Sequence, residues 1–454
     1  MNAVRKPSAT HKPLARRTVI VGLGRTGLSC ARYLSARGAR IAITDTRRDP
    51  PELGNLGALA QSVELRLGGL DQQLLADAAQ IVVSPGVALT EPFLREAQAR
   101  GIEIVGDVEL FARAAQAPVI AVTGTNGKST VTTLVAEMVQ AAGLTVRAGG
   151  NLGEPALNLL AGTEPDFYVL ELSSFQLETT HSLALRAAAV LNVSADHLDR
   201  YVRLADYATA KARIFAHCDV AVVNLDDELV RAMPRAGQAV IGFSIDPQRR
   251  AQFGLVRPGG RASLARAGQP LLALDEMRLT GLHNAANALA ALALCEALGL
   301  PREPQLGILR TFTGLPHRMQ WVADLAGVRW INDSKGTNVG ATLAAVGGME
   351  GPLIVIAGGD GKNQDFATLA EAFRDKVRAA VLIGRDAPTL ARVLEPVCAI
   401  DRASSLEEAV RLAAARARPG DTVLLSPACA SLDMFRDYTH RGAVFAAAVR
   451  ELAR

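Results

Sequence analysis

Short apolar runs along the chain alternate with segments in which apolar residues recur at helical spacing. Strands are predicted at residues 18–21, 40–44 and 118–122, and helices at residues 28–34 and 131–139. Because helical segments separate the strands, neighbouring strands should run parallel, with polar loops following their carboxyl ends. The pattern therefore predicts an α/β protein.

The length of 454 residues is too great for one ordinary core. We expect a disordered basic tail at residues 1–17 and domains at 18–107, 108–314 and 315–454, with the last boundary at the turn that contains Gly314. The apolar run at 282–298 is interrupted by histidine and asparagine, so a buried helix is expected there and not a membrane span.

Charge and cysteine content exclude several classes of function. The formal charge is +4, but the first 17 residues hold five basic residues and no acid, so the rest of the chain is close to neutral. Such a body does not favour nucleic acid binding. The five cysteines form no close pair and leave an odd count, which indicates neither a disulfide framework nor a zinc site. We expect a cytoplasmic protein.

Residues 123–130 spell Thr-Gly-Thr-Asn-Gly-Lys-Ser-Thr between a predicted strand and a predicted helix. Gly124 and Gly127 would let backbone N–H groups approach phosphate oxygens, and the helix N-terminus favours anions. Lys128 would reach the terminal phosphates and Ser129 would hold Mg²⁺. The sequence departs from the general phosphate-loop pattern at Val122, and a glycine turn without function is the alternative.

A second glycine motif precedes this loop. Gly22, Gly24 and Gly27 follow the first predicted strand, and Asp45 ends the second. This spacing is typical of dinucleotide binding and by itself would indicate NAD and an oxidoreductase. A nucleotide-sugar diphosphate could use the same turn.

Further polar residues lie at or near predicted strand ends. Glu171 lies within an apolar strand and His197 follows the next one, so both could bind a cation beside the phosphate loop. A hydrogen-bonded loop histidine is the alternative for His197. Lys211 lies on a predicted helix and would ordinarily be solvated. Asn284 and Asn287 share a helix face and could hold a purine base or ribose.

The last third of the chain carries Lys335, Thr337, Lys362 and Ser431 on loops after predicted strands. Such a rim suits an anionic small molecule, and a solvated charged surface is the alternative.

Taken together, these motifs resemble the Mur ligase family. The resemblance runs from about residue 18 to the C-terminus and rests on residues 123–130, 171–177, 196–201, Tyr207 with Lys211, 283–287, 316–318, 332–338 and 426–435.

The resemblance implies three α/β domains: an N-terminal Rossmann-like domain, a central P-loop ATP-binding domain with a mostly parallel sheet, and a C-terminal Rossmann-like domain. It also implies a monomeric ligase of peptidoglycan precursor synthesis. The implied reaction adds D-glutamate to UDP-N-acetylmuramoyl-L-alanine through an acyl phosphate, using ATP, two Mg²⁺ ions and a lysine carbamate formed from CO₂. Another Mur-type amino-acid ligase is the alternative, but residues 426–433 match the D-glutamate adders and the Asp-Asn-Pro-Arg pattern of diaminopimelate adders is absent.

The same resemblance implies roles for individual residues. Catalysis and metal binding would fall to Lys128, Ser129, Glu171, His197 and carbamylated Lys211. ATP would contact Gly124, Thr125, Asn126, Gly127, Lys128, Ser129, Thr130, Asn284, Asn287, Arg318 and Asp333. The UDP-substrate would contact Gly24, Thr26, Asp45, Thr46, Arg47, Gly86, Asn151 and Ser173. D-Glutamate would contact Lys335, Thr337, Lys362, Ser431, Leu432 and Tyr438, the last at a position where phenylalanine is expected.

Overall fold

The computed structural model describes residues 17–197, 200–279, 281–349 and 351–452. These residues divide into two compact units. The first unit holds the described residues up to Val119 together with Arg147–Ala184, and the second holds Ile120–Val146 and the chain from Leu185 onward.

The strands and helices alternate along the chain, as predicted. The strands are β1 Arg17–Val21, β2 Ile41–Asp45, β3 Glu64–Leu67, β4 Ala78–Val83, β5 Glu103–Val105, β6 Val119–Thr123, β7 Val146–Gly150, β8 Phe167–Glu171, β9 Leu185–Val190, β10 Cys218–Asn224, β11 Ala239–Phe243, β12 Phe253–Val256, β13 Ser263–Arg266, β14 Gln269–Ala273, β15 Gln320–Leu325, β16 Val328–Asn332, β17 Leu353–Gly358, β18 Val377–Ile383, β19 Ala399–Arg402 and β20 Thr422–Leu425. The α-helices are α1 Arg25–Ser35, α2 Pro92–Ala99, α3 Asp107–Ala114, α4 Lys128–Ala141, α5 Ser174–Glu178, α6 Leu204–Ala212, α7 Glu228–Arg231, α8 Leu282–Ala297, α9 Arg302–Thr311, α10 Val339–Gly347, α11 Ala367–Phe373, α12 Ala387–Leu394, α13 Leu406–Arg416 and α14 Tyr438–Glu451.

The first strand begins one residue earlier than expected. Residues 1–16 of the predicted tail lie outside the described residues, but Arg17 belongs to β1 and not to the tail. Its backbone is in register with Ala78, and its guanidinium lies 3.2 Å from both Glu64 and Asp77. These two ion pairs hold Arg17 in the sheet.

The first unit contains a parallel sheet with the order β3-β2-β1-β4-β5. A tight glycine turn joins β1 to α1. Gly22 has φ +93°, and a Cβ on Gly27 would lie 2.0 Å from the Gly22 carbonyl oxygen. Only glycine fits such a close backbone approach, so the turn brings the N-terminus of α1 to the carboxyl edge of the sheet.

The first unit also contains the neighbouring strands β7 and β8. Residues 168–171 of β8 are buried, and its last residue is Glu171. α5 begins three residues later, with Ser173 and Gln176 forming a capping box at its N-terminus.

In the second unit, the phosphate-loop strand lies at one end of the strand run β14-β13-β12-β11-β10-β9-β6. The pairs from β6 to β12 are parallel, and β12, β13 and β14 are antiparallel. Because Thr123 is in register with Val190, the loops after β6 and β9 lie side by side. The predicted buried helix is confirmed as α8. In the middle of this helix, the alanine and leucine side chains on every face are buried.

The same unit contains a six-stranded sheet with the order β15-β16-β20-β17-β18-β19. β15 and β16 form an antiparallel pair at one edge, and the remaining pairs are parallel. Apolar clusters cover both faces, and every residue of β17 is buried, as expected for an inner parallel strand. The loops after β16, β17 and β20 therefore share one edge.

In the ranges that the structure describes, no helix combines the length and apolar character that a membrane crossing requires.

Candidate functional site

The phosphate loop joins β6 to α4, as the sequence predicts. Gly124 has φ +149° and Gly127, which caps α4, has φ +82°, so both adopt backbone conformations that favour glycine. The neighbouring loop after β9 fixes the turn, because the Asn192 carbonyl oxygen accepts from Thr125 N at 2.9 Å. Asn192 Oδ1 also accepts from Asn126 N at 2.8 Å.

Two lysine side chains meet at this loop. The Nζ atoms of Lys128 and Lys211 each lie 2.9 Å from the carbonyl oxygen of Gly124, so the two ammonium groups are close neighbours. Lys211 is only 1% exposed and its Nζ lies 4.3 Å from the centre of the Tyr207 ring. Its predicted alternative as a solvated helix residue is therefore wrong. Two ammonium groups so close together repel each other, and a negative charge between them would relieve that repulsion.

Arg318 reaches the same loop from the segment that precedes β15. Its Nη2 atom donates to Ser129 Oγ at 2.6 Å, although the two residues are 189 positions apart. The guanidinium thus lies beside the first turn of α4. Its positive charge adds to the preference of the helix N-terminus for an anion such as phosphate.

A pocket opens beside the loop, with an empty volume of about 620 Å³ that includes space open to solvent. Asn126, Gly127 and Thr130 line one part of it. Asn284 and Asn287 line another and are joined by a hydrogen bond of 3.3 Å, which confirms that they share a helix face.

Asp333 lines the pocket from the end of β16. Burial raises the pKa of its carboxyl group to about 7, although hydrogen bonds from Ser426 Oγ at 2.9 Å and Met319 N at 3.3 Å favour the charged form. Asp333 can therefore change its protonation state near neutral pH.

The predicted D-glutamate residues lie on the loops after β16, β17 and β20 and at the start of α14. Lys335 also lines the pocket, and its Nζ lies 3.9 Å from the centre of the Tyr438 ring. Ser431 is buried, whereas the adjacent Leu432 is 73% exposed. Thr337 donates its N–H to the Lys335 carbonyl oxygen at 2.8 Å, which closes a tight turn.

Side-chain contacts join these loops to the phosphate loop and to the neighbouring loop after β9. Lys362 Nζ donates to Asp196 Oδ1 at 2.7 Å. Asn126 and Asn338 exchange two amide hydrogen bonds, of 3.4 and 3.3 Å. His197 follows Asp196 and has φ +55°. The motif predicted around His197 continues into residues 198 and 199, which lie outside the described residues.

In the first unit, Asp45 is buried at the end of β2. Burial disfavours its charged form, but hydrogen bonds from Arg47 and from the backbone N–H of Leu23 outweigh this effect and lower the pKa of Asp45 to about 2. This carboxylate therefore fixes the glycine turn. Gly24 caps α1, and Thr26 lies in the first turn of that helix. Thr46, Arg47 and Gly86 are exposed.

Glu171, also in the first unit, is buried and accepts from Asn151 Nδ2 at 2.7 Å. The Asn151 N–H also donates to the Glu171 carbonyl oxygen at 2.8 Å, so the two predicted residues are held together. Ser173 uses its hydroxyl to cap α5. The ligand roles of all three stay predictions.

Among the described residues, no cluster of three or more histidine, cysteine and acidic side chains could enclose a metal ion. The predicted ligands instead offer the Ser129 hydroxyl and the Glu171 carboxylate. Hydroxyl and carboxylate oxygens are ligands that Mg²⁺ prefers, so the chemistry of each predicted ligand, taken by itself, fits this ion.

The sequence interpretation missed several residues that shape the site. Asn192 orients the phosphate loop, Asn338 contacts it, Ser426 bonds to Asp333, and Asp196 holds Lys362. All four lie on the loops after β9, β16 and β20. That position is a signal, but it does not reveal which of many strand-end polar residues make long-range contacts.

Comparison with known proteins gives three family models that match consecutive parts of the chain. They are the Mur ligase MurD-like N-terminal domain at residues 16–106, the Mur ligase middle domain at 122–295 and the Mur ligase glutamate ligase domain at 317–429.

Curated relatives match over almost the whole chain. The UDP-N-acetylmuramoylalanine--D-glutamate ligase of Nitrosococcus oceani is 52% identical and covers 97% of both chains. The protein of the same name from Pseudomonas aeruginosa is 50% identical, over 96% of this chain and 98% of its own.

Solved structures share the fold at lower identity. The pseudomurein peptide ligase type C of Methanothermus fervidus superposes with a TM-score of 0.63 at 18% identity, over 96% of this chain and 100% of its own. The UDP-N-acetylmuramate-alanine ligase of Thermotoga maritima gives a TM-score of 0.63 at 19% identity, with the same coverage. The three domain matches and the full-length relatives lead to one conclusion: the chain belongs to the Mur ligase family.

Proposed function

We propose that the protein is an ADP-forming ligase that joins D-glutamate to UDP-N-acetylmuramoyl-L-alanine in peptidoglycan precursor synthesis. The observation that carries the proposal is the convergence of Lys128 and Lys211 on the phosphate loop, beside a pocket that Arg318 also lines. Full-length relatives of this name at 50–52% identity support the choice of substrates.

The nucleotide would bind in the pocket of the second unit. Residues 124–130 would hold its phosphates through backbone N–H groups and the Lys128 ammonium. Asn284 and Asn287 would contact the base or ribose. Arg318 and Asp333 would bind the nucleotide from the opposite part of the pocket.

The reaction has two steps. An oxygen of the substrate's alanyl carboxylate attacks the γ-phosphorus of ATP, the bond to the bridging oxygen breaks, and ADP leaves. The neutral amine of D-glutamate then attacks the acyl carbon, the bond from that carbon to the phosphate oxygen breaks, and inorganic phosphate leaves. The nitrogen gives up one proton to the solvent and keeps the other as the amide N–H. Because the first step brings two anions together, Lys128 and Arg318 serve to neutralise charge and hold the groups in line.

Ser129, Glu171, His197 and a carbamate on Lys211 would hold Mg²⁺, for which we propose two ions. Bound Mg²⁺ supplies positive charge to the phosphates of ATP and to the reacting oxygens. The position of Lys211 supports the carbamate, because its buried ammonium and that of Lys128 donate to the same carbonyl oxygen and repel each other. A carbamate on Lys211 is negatively charged and would attract the Lys128 ammonium.

The remaining substrate contacts follow the predicted positions. Lys335, Thr337, Lys362, Ser431, Leu432 and Tyr438 would bind D-glutamate, with Lys362 suited to a carboxylate. Gly24, Thr26, Asp45, Thr46, Arg47, Gly86, Asn151 and Ser173 would bind the UDP-substrate. We also propose a cytoplasmic monomer, in which reducing conditions keep the five cysteines as free thiols.

The test is to incubate the protein with UDP-N-acetylmuramoyl-L-alanine, ATP, Mg²⁺ and one amino acid at a time, and to measure released phosphate. Release that depends on D-glutamate and forms the corresponding amide supports the proposal. Release with L-lysine or diaminopimelate alone would indicate another Mur-type ligase. No release with any amino acid would reject the ligase assignment.

A further inference from the structure

One ion pair joins the β17 loop to the loop after β9. Lys362 Nζ lies 2.7 Å from Asp196 Oδ1, and the two side chains are only 16% and 8% exposed. The residues are 166 positions apart. A pair so shielded from solvent is screened little by salt, and its geometry depends on how both partners are held.

Asp196 is held by two further contacts. Its Oδ1 atom accepts from His197 N at 2.9 Å and its Oδ2 atom accepts from Asn338 Nδ2 at 3.1 Å. Asn338 in turn caps α10 by accepting from Ala341 N at 2.8 Å, and it also bonds to Asn126 of the phosphate loop. The carboxylate is therefore fixed on both oxygens.

The backbone at Lys362 is equally constrained. Lys362 has φ +50°, in the left-handed region, and its N–H donates to Asp360 Oδ1 at 3.0 Å. Asp386 Oδ2 accepts from Gly361 N at 2.7 Å. The loop thus sets where the side chain starts, but a four-carbon stem still needs a partner at its end to hold one rotamer.

We propose that Asp196 is a positioning residue that holds the Lys362 ammonium in place for a carboxylate of D-glutamate. The inference rests on the proposed function, because it takes Lys362 as a D-glutamate-binding residue. An ammonium has three donors, and the structure directs one of them to Asp196. The side chain is thereby ordered before the ligand arrives, so binding loses less conformational freedom.

The first measurement is the steady-state kinetics of Asp196→Asn. We expect the KM for D-glutamate to rise about tenfold, while the KM values for ATP and for UDP-N-acetylmuramoyl-L-alanine change less than about twofold. A residue that only stabilises the fold would not single out one substrate. An unchanged or lower KM for D-glutamate would overturn the proposal, and a lower value would mean that Asp196 competes with the ligand for Lys362.

The second measurement is a double-mutant cycle with Lys362→Met. If Asp196 acts through Lys362, adding Asp196→Asn to Lys362→Met should change the KM for D-glutamate less than about twofold. Fully additive effects would contradict a positioning role. Where Lys362→Met is too slow to measure, Asp196→Glu replaces it as the second variant. It keeps the charge and should recover part of the affinity that Asp196→Asn loses.

Asp401→Asn is the matched control. It removes an aspartate from another ion pair of the same unit, with Arg416 at 2.8 Å, far along the chain from the pocket-lining segments. We expect it to keep wild-type KM values. Thermal unfolding of every variant checks the fold. Failure of the wild-type protein to release phosphate with D-glutamate would reject the proposed function, whereas an active wild type with an unaffected Asp196→Asn variant would reject this inference alone.

Discussion

At the scale of single residues, the Gly124 carbonyl oxygen is the point where the charged groups of the site converge. It accepts from Lys128 and Lys211, both at 2.9 Å, and Lys128 also donates to the Thr125 carbonyl oxygen at 2.8 Å. A carbonyl group carries only a partial negative charge. The two ammonium groups therefore gain more from a phosphate or carbamate than from this contact.

Lys128→Ala should lower the rate of phosphate release at least about a hundredfold, because the alanine variant cannot neutralise charge in the transition state. The free energy of unfolding should change by no more than about 1 kcal/mol, since Lys128 donates to two carbonyl oxygens of its own loop, Gly124 and Thr125. Kinetics and urea unfolding measure the two effects. Lys376→Ala is the control, because Lys376 also donates to loop carbonyl oxygens, including Gly347 at 3.0 Å, and lies outside the pocket. Near-normal turnover of Lys128→Ala would show that the loop has been misinterpreted.

Asp333 should make the stability of the protein depend on pH. Its pKa is raised by burial to about 7, whereas an unfolded aspartate ionises near pH 4. In the unfolded chain this carboxyl group ionises as pH rises above about 4, whereas in the folded protein it ionises only near pH 7. The free energy of unfolding therefore falls between about pH 4 and pH 7 and stays at the lower value above pH 7. Asp333→Asn removes that cost. The stability of the variant relative to wild type should rise by on the order of 2 kcal/mol between pH 5 and pH 8.

Urea unfolding at both pH values, without nucleotide, measures this difference. Asp324→Asn removes an exposed carboxylate from β15 and should show no such trend. A pH-independent difference for Asp333→Asn would mean that the buried carboxyl is already ionised at pH 5.

At the scale of secondary-structure elements, the start of α10 approaches the phosphate-loop region closely. A Cβ on Gly340 would lie 3.0 Å from Ser194 Oγ and 3.6 Å from Asn126 Nδ2. Gly347, at the other end of the same helix, has no neighbour within 4 Å of such a Cβ. The helix thus carries one glycine in a tight contact and one in open space.

Gly340→Leu should lower kcat/KM for ATP by at least about tenfold, because the larger side chain cannot fit without moving α10 away from Asn126. Gly347→Leu is the matched control and should retain activity, since it makes the same replacement in the same helix at a position with open space. Steady-state kinetics with ATP distinguishes them. Equal activity of the two variants would mean that this contact is not needed for nucleotide binding.

Elements with a strong pattern could be predicted from the sequence, and long-range partners could not. The strand before the phosphate loop and the helix after it are confirmed as β6 and α4, because a buried strand and an amphipathic helix leave clear periodicities. Lys211 was expected to be solvated unless the family resemblance gave it a role. Its burial depends on Gly124 and Tyr207, and local spacing contains no information on such contacts.

At the scale of the whole molecule, the two units carry different parts of the proposed substrate set. The lining residues of the proposed nucleotide pocket lie between 126 and 345, and all of them belong to the second unit. The predicted UDP-substrate residues, from Gly24 to Ser173, belong to the first unit. The sequence predicted the α/β class and the three domains of the family, but the grouping of residues 147–184 with the N-terminal part comes from packing alone.

ATP and UDP-N-acetylmuramoyl-L-alanine should therefore slow amide hydrogen exchange in different units of the protein. ATP with Mg²⁺ should slow amide exchange in the phosphate loop and at the start of α8, because bound groups are protected, and should leave β1–β5 unchanged. UDP-N-acetylmuramoyl-L-alanine should slow exchange in the glycine turn at residues 22–27. Lys128→Ala should lose the first effect and keep the second. Protection of β1–β5 by ATP alone would contradict this division.

The amide pair between Asn126 and Asn338 has a consequence for chemical ageing. Asn126 precedes Gly127, and an asparagine before the unhindered glycine is prone to deamidation, which would place a carboxylate where phosphate should bind. The two hydrogen bonds with Asn338 hold the Asn126 amide group in place. They thereby hinder the attack of the Gly127 nitrogen on the amide carbon of Asn126, which is the first step of deamidation. Asn338→Ala should therefore deamidate faster than wild type during storage, as peptide mass spectrometry would show. A shelf life set by one hydrogen-bonded amide would make that contact a target for stabilising the purified enzyme.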